Sequence, residues 1–130
     1  SMTAYFMVDD LNYLHRGGRI GAAQAAFGSL LQVKPILSMR DVAGIITVAE
    51  KVRTQKKALA RLVELTAADC AGAGKVTATV LHADNQATAA QLEVALRAAL
   101  PQAKIVLSEF GPVIGTHVGP GAVGIIFYTV

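Results

Sequence analysis

Tryptophan is absent from this chain, cysteine occurs once, and aromatic residues make up only 5% of it. So few rings leave little with which to stack unpaired bases, which disfavours a platform for single-stranded nucleic acid. The lone Cys70 cannot close an intrachain disulfide and excludes metal clusters of the Cys-x-x-Cys kind; it fits a reducing cytosol. Charge is sparse as well, at 16% charged residues and a net +3, too little for a committed polyanion binder. No apolar run approaches the roughly 18–20 residues of a membrane span, and the stretch 122–128 is interrupted by a glycine. The start of the chain lacks the basic segment and apolar core of a secretory leader, so a cytoplasmic protein is expected. Ser1 ahead of Met2 reads as an expression-tag remnant.

What remains is aliphatic. With 130 residues, 53% of them hydrophobic, the chain is expected to form one domain over 1–130 whose core is built from Ala, Val, Ile and Leu. Residues 9–15 and 21–32 have helical spacing, with Gly17-Gly18 as the stop between them. Residues 33–39 contain Pro35, which forfeits a ladder donor and points to an edge or a bulge. Residues 40–44 carry turn chemistry, and the β-branched run from Ile45 through Val52 supplies a hairpin partner. Thr54 is placed to cap a helix over 55–71 with Ala58, Leu59, Leu62, Val63 and Leu65 on one face. Alternation predicts a strand over 75–82. Asp84 or Asn85 then caps a helix that runs to Leu100 with a stripe of Ala89, Leu92, Ala95, Leu96 and Ala99. Strands follow at 105–108 and 122–130. This alternation argues a two-layer α/β sandwich, and the hairpin makes its sheet mixed.

Three segments could carry chemistry. His15-Arg16-Gly17-Gly18-Arg19-Ile20-Gly21 joins two helices; paired glycines allow close backbone approach, the second helix offers free N–H groups, and two guanidiniums flank the turn. A helix elbow with solvated arginines explains the same residues. Between strands lies Gly111-Pro112-Val113-Ile114-Gly115-Thr116-His117-Val118-Gly119-Pro120-Gly121, a shaped loop whose polar side chains are Thr116 and His117. In Lys51-Val52-Arg53-Thr54-Gln55-Lys56-Lys57, Arg53 and Thr54 sit where a strand hands over to a helix N-terminus, which favours negative charge. His82 and Asp84 resemble half a triad, but no Gly-x-Ser-x-Gly nucleophile motif accompanies them, so they read as a strand end. Cys70, near a helix C-terminus, is not expected to be reactive.

In combination, Leu11-Asn12-Tyr13-Leu14-His15-Arg16-Gly17-Gly18-Arg19-Ile20, Leu31-Gln32-Val33-Lys34-Pro35-Ile36-Leu37, Lys51-Val52-Arg53-Thr54-Gln55-Lys56-Lys57-Ala58 and Gly115-Thr116-His117-Val118-Gly119-Pro120-Gly121 resemble the DegV family of bacterial fatty-acid-binding proteins. The resemblance covers essentially the whole chain and matches the family's C-terminal domain, without an N-terminal counterpart. It implies a long-chain fatty acid as ligand, no cofactor and no metal. It also implies a non-catalytic carrier that presents the acid to a separate fatty-acid kinase. Under it, His117 matches the family histidine of the carboxylate network, with Thr116 beside it. Arg19 and Gly18 match the Gly-Gly-Arg-Ile turn, and Arg53 matches the arginine of kinase engagement. Residues 38–50 depart from the family pattern in an enlarged hairpin loop. The face turned toward the absent N-terminal domain is expected to be apolar and to be covered by a homodimer.

Two other readings compete. Nine of the twelve cations lie between Arg16 and Arg61, against Asp41 and Glu50, so the first half could bind nucleic acid or an anionic surface. An enzyme using His117 and Arg19 on a phosphorylated small molecule ranks last, because no second acid or base is placed.

Overall fold

The structure is a computed structural model that describes residues 2–8, 34–40, 46–111 and 119–130. Six strands, β1 (Met2–Met7), β2 (Lys34–Arg40), β3 (Ile46–Val52), β4 (Val76–His82), β5 (Lys104–Glu109) and β6 (Val123–Thr129), form one sheet in the order β3-β2-β1-β6-β4-β5. Neighbours are antiparallel except β4 and β5, which run parallel. The sheet is therefore mixed, and with the helices α1 (Gln55–Cys70) and α2 (Gln86–Ala99) it makes the expected α/β sandwich.

No strand is expected before residue 9 from the sequence, yet β1 occupies the middle of the sheet between β2 and β6. The reason is that Met-Thr-Ala-Tyr-Phe-Met has no apolar and polar alternation: residues 3–7 are all buried. A strand covered on both faces loses the period-2 signature and leaves only a short apolar run.

The hairpin of β2 and β3 forms as expected, with a register shift between Ile36 and Leu37 that leaves Ala49 as the extra residue. Pro35 pairs with Lys51 on the β3 side, whereas the β1 register begins at Leu37. An interior strand tolerates this proline because the ladder with β1 has not yet begun at its position, and a bulge follows it.

Thr54 caps α1, its hydroxyl accepting from the Lys57 N–H at 3.1 Å. Ala58, Leu62, Val63, Thr66 and Cys70 turn inward. The buried Thr66 hydroxyl donates to the Leu62 carbonyl at 2.8 Å, so it costs no orphaned polar group. Gly72, at φ 79°, ends the helix in the left-handed conformation that glycine adopts without strain. In α2, Ala89, Leu92 and Leu96 are buried as expected, while Ala95 and Ala99 are exposed.

Strand alternation sorts the interior into two apolar clusters. The larger joins Tyr5, Met7, Ile36, Val80, Val123, Ile125 and Phe127 to the inner faces of both helices. The smaller, built from Phe6, Val8, Leu37, Ile46 and Ala122, belongs to the opposite face of the sheet; Met39, Val48, Ala83 and Phe110 pack against it. Gly124 lies directly across from Phe6, where an added Cβ would fall inside van der Waals contact of the Phe6 Cβ and 2.9 Å from the Tyr5 carbonyl oxygen. The missing side chain lets Phe6 lie across β6.

Candidate functional site

The candidate site is built where β4 and β5 end and β6 begins. The parallel pair releases the chain there at Phe110, and the chain rejoins the sheet at Ala122. Both stems bond to the segment that follows β4. Phe110 donates its N–H to the His82 carbonyl at 2.8 Å on the outgoing side. On the returning side Ala83 donates to the Ala122 carbonyl at 2.9 Å, and Gly121 donates to the Ala83 carbonyl at 2.7 Å. Gly119 and Gly121, at φ 80° and 92°, take backbone conformations closed to most side chains, which explains two of the glycines in this loop.

Beneath the stems lies the smaller apolar cluster. Ala83, Phe110 and Ala122 belong both to the stems and to that cluster, which continues through Val8 and Phe6 to Leu37 and Ile46. An apolar floor thus runs without interruption from the middle of the sheet to the base of the loop that holds the Thr116 and His117 positions. Chemically this suits a ligand with a long hydrocarbon part and one polar end.

His82 is buried at the end of β4, and its Nδ1 accepts the Asn85 N–H at 3.1 Å. The reading of His82 as a strand end rather than half a triad agrees with this turn. Asn85 is the residue before α2, but its side chain caps nothing; its amide donates to the Gly121 carbonyl at 3.0 Å instead. Sequence reasoning offered Asn85 as a helix cap and missed this reach, which only the folded arrangement brings about.

The basic first half is less available than its composition suggests. Arg61 makes a two-pronged contact with Glu50, through Nε and at 2.9 Å through a terminal nitrogen, and reaches Glu64 at 3.4 Å. The guanidinium hydrogen bonds hold the Glu50 carboxyl below its ordinary range. Arg40, placed in a turn by the sequence, ends β2 instead; it donates to the Tyr5 hydroxyl at 2.8 Å and lies 3.3 Å from Asp69. Tyr5 also donates to Asp69, and burial, followed by that carboxylate, pushes its phenol up to about 12. These two arginines are engaged by carboxylates of the fold and tie the sheet to α1 rather than being left for an external anion. Cys70 is buried, and burial followed by the neighbouring Asp69 charge raises its thiol above the ordinary value. A thiol so held is a poor nucleophile.

Of the sequence-predicted site residues, Arg53 is described: it is exposed between β3 and α1, beside exposed Thr54, Lys56 and Lys57. Gly18, Arg19, Thr116 and His117 lie outside the described residues, as do the helices expected over 9–15 and 21–32. Among the described residues no three His, Cys, Asp or Glu side chains gather as metal ligands would, and no helix is long and apolar enough to cross a membrane.

Sheet order, helix placement and the glycine-framed loop together define a DegV-type α/β domain. A family model described as "Uncharacterised protein, DegV family" matches residues 1–130, and the chain belongs to that family. It is 49% identical over 125 residues to a DegV domain-containing protein of Halalkalibacterium halodurans, covering 96% of this chain and 44% of that protein. Among solved structures, it superposes with TM-score 0.82 and 45% identity on DegV, a fatty acid binding protein from Bacillus subtilis, covering 100% of this chain and 45% of the other. A DegV family protein from Thermus thermophilus, described by its fatty acid binding, superposes with TM-score 0.91 at 32% identity, covering 100% and 46%. The chain therefore spans less than half the length of these relatives.

Proposed function

We propose that this chain is the lipid-binding part of a cytoplasmic fatty-acid carrier, with the acyl tail against the smaller apolar cluster and the carboxylate at the Thr116 and His117 loop. The observation that carries the reading is the continuity of that apolar floor with both stems of the loop, through Ala83, Phe110 and Ala122. Each CH₂ buried against such a floor contributes about 0.8 kcal/mol, so the tail dominates affinity and the head group sets orientation. The solved relatives described as fatty-acid-binding proteins support the same ligand class. Arg19 and Gly18 complete the head-group contacts in this reading, and the remainder of the two-domain protein closes the site.

The role is presentation rather than catalysis, with a fatty-acid kinase as partner and Arg53 as its contact. Support comes from the exposure of Arg53 beside Lys56 and Lys57, a cationic rim suited to an acidic partner. Binding of nucleic acid by the basic half is the weaker alternative, because Arg40 and Arg61 are engaged by Asp69 and Glu50. The test is mass spectrometry of small molecules released from the purified two-domain protein on denaturation, with isothermal titration of oleate into the stripped two-domain protein. Recovered long-chain acids and saturable oleate binding are expected. Recovery of non-lipid material alone, with no oleate heat, would refute the proposal.

A further inference from the structure

We infer that Arg97 guards an open edge of the sheet, and that the surface it closes is one that would otherwise pair with a second copy of this chain. β5 ends the strand order and has β4 as its one neighbour. Phe110 turns its N–H to the His82 carbonyl of β4. Backbone groups of alternate residues along a strand point to opposite edges. Ser108, Val106 and Lys104 therefore face β4, while Ile105, Leu107 and Glu109 direct their N–H and C=O groups outward. Such a row is a template for another strand.

The two edges of the sheet are defended differently. At β3 the register shift interrupts the ladder, and Lys51 stands on the strand. Bulges and lysines are common means of blunting an edge. β5 has no bulge and no proline: it pairs with β4 without a shift from Lys104 to Glu109, and Val106 in its middle is 45% exposed. What β5 has instead is Arg97. One terminal nitrogen of its guanidinium, reaching out from the last turn of α2, donates to the Ile105 carbonyl at 2.8 Å and to the Glu93 carboxylate at 2.9 Å. The Ile105 carbonyl is one of the outward groups, so Arg97 holds an acceptor that an arriving strand needs. A partly exposed Glu–Arg pair four positions apart adds little stability by itself; its reach to the edge is what sets it apart.

The strand so guarded fits itself. A twofold axis perpendicular to the sheet brings a second β5 alongside in antiparallel fashion, with outward groups facing outward groups. In the register centred on Leu107, that residue meets its own copy, Ile105 meets Glu109, Val106 meets Ser108 and Lys104 meets Phe110. No like charges are opposed, and the exposed Val106 is covered. The Glu109 N–H of the second copy then requires the same Ile105 carbonyl that Arg97 occupies.

The test is sedimentation of the two-domain protein over a range of concentrations, as the parent and as its Arg97→Ala, Glu93→Ala and Arg97→Ala/Val106→Lys/Ser108→Lys forms. Arg97 is half exposed and alanine is the strongest helix former, so Arg97→Ala keeps α2. Val106 and Ser108 are exposed and lie opposite one another across the register, so lysines there repel between copies without entering the core. A monomeric parent, a reversible Arg97→Ala dimer, weaker association of Glu93→Ala and a monomeric triple variant are expected. Hydrogen exchange should show the Leu107 amide protected in concentrated Arg97→Ala and not in the parent. An Arg97→Ala protein that stays monomeric throughout, or forms irregular aggregates in place of a dimer, would overturn the inference. So would a dimer that the two lysines leave intact, or a parent that dimerises as readily as Arg97→Ala.

Discussion

Replacing Gly124 by alanine probes the packing on which the apolar floor depends. The added Cβ would overlap the Phe6 Cβ, sit 2.9 Å from the Tyr5 carbonyl oxygen and lie 3.2 Å from the Phe6 Cα. Two of these three neighbours are backbone atoms of a central strand, so no rotamer change relieves the clash and β1 must move away from β6. Overpacking of this kind costs on the order of 2–3 kcal/mol. Against it stands the smaller conformational entropy of an unfolded alanine, worth about 0.5–1 kcal/mol. The net loss of about 2 kcal/mol lowers Tm by roughly 6–10 °C for a domain of this size. Circular dichroism melts and urea titrations read it. Phe6→Ala leaves the Phe6 Cβ in place, so its cost should add to that of Gly124→Ala, whereas Phe6→Gly should relieve part of the clash and give a non-additive cycle. A Gly124→Ala protein as stable as the parent, or fully additive behaviour with Phe6→Gly, would refute the reasoning.

Other consequences concern the polar ties and the partner surface. Glu50→Gln should lower stability by about 0.5–1 kcal/mol at neutral pH, the modest value being set by the partial exposure of the pair. Because the folded Glu50 carboxyl is held below its ordinary value, its contribution is present above the ordinary carboxylate range and disappears as pH falls through the lowered folded value. The difference between Glu50→Gln and the parent in denaturant melts should therefore vanish in acid. Tyr5 has the opposite sign: its folded phenol lies at about 12 against 10.0 unfolded, so its contribution is intact below pH 10 and is lost between pH 10 and 12. Tyr5→Phe should flatten that alkaline decline, and ultraviolet titration should show one phenol ionising near pH 12. Cys70 should resist iodoacetamide in the native protein and react fully in denaturant, as mass spectrometry would report. Arg53→Glu should leave oleate binding unchanged while abolishing acyl-phosphate formation by a cognate kinase.

Local signals carried much of the fold. The Thr54 cap, the β-branched run leading to Val52 and the glycine after α1 depend on neighbours in sequence, and each appears where those neighbours place it. β1 was illegible because burial on both faces erases alternation. Arg40 and the main contact of Arg61 were hidden because Asp69 and Glu50 sit 29 and 11 positions away, on elements whose approach no local pattern announces; the weaker Arg61 contact with Glu64, three positions on in the same helix, was legible in the spacing. The same distance hid Asn85: its type marks a helix start, and only the returning chain reveals what its amide holds. For the candidate site, the glycines at 119 and 121 were legible as a shaped loop, while the apolar floor beneath it was not, since its members come from β1, β2, β3 and both stems.

The direct test of the account is to find which face of the sheet meets the acyl tail. Uniformly ¹³C-labelled oleate bound to methyl-labelled protein should give intermolecular nuclear Overhauser effects to Leu37, Ile46 and Val48, and none to Ile36, Ile125 or Leu92. Contacts on the helix-covered set, or none to the smaller cluster in a saturated complex, would contradict it.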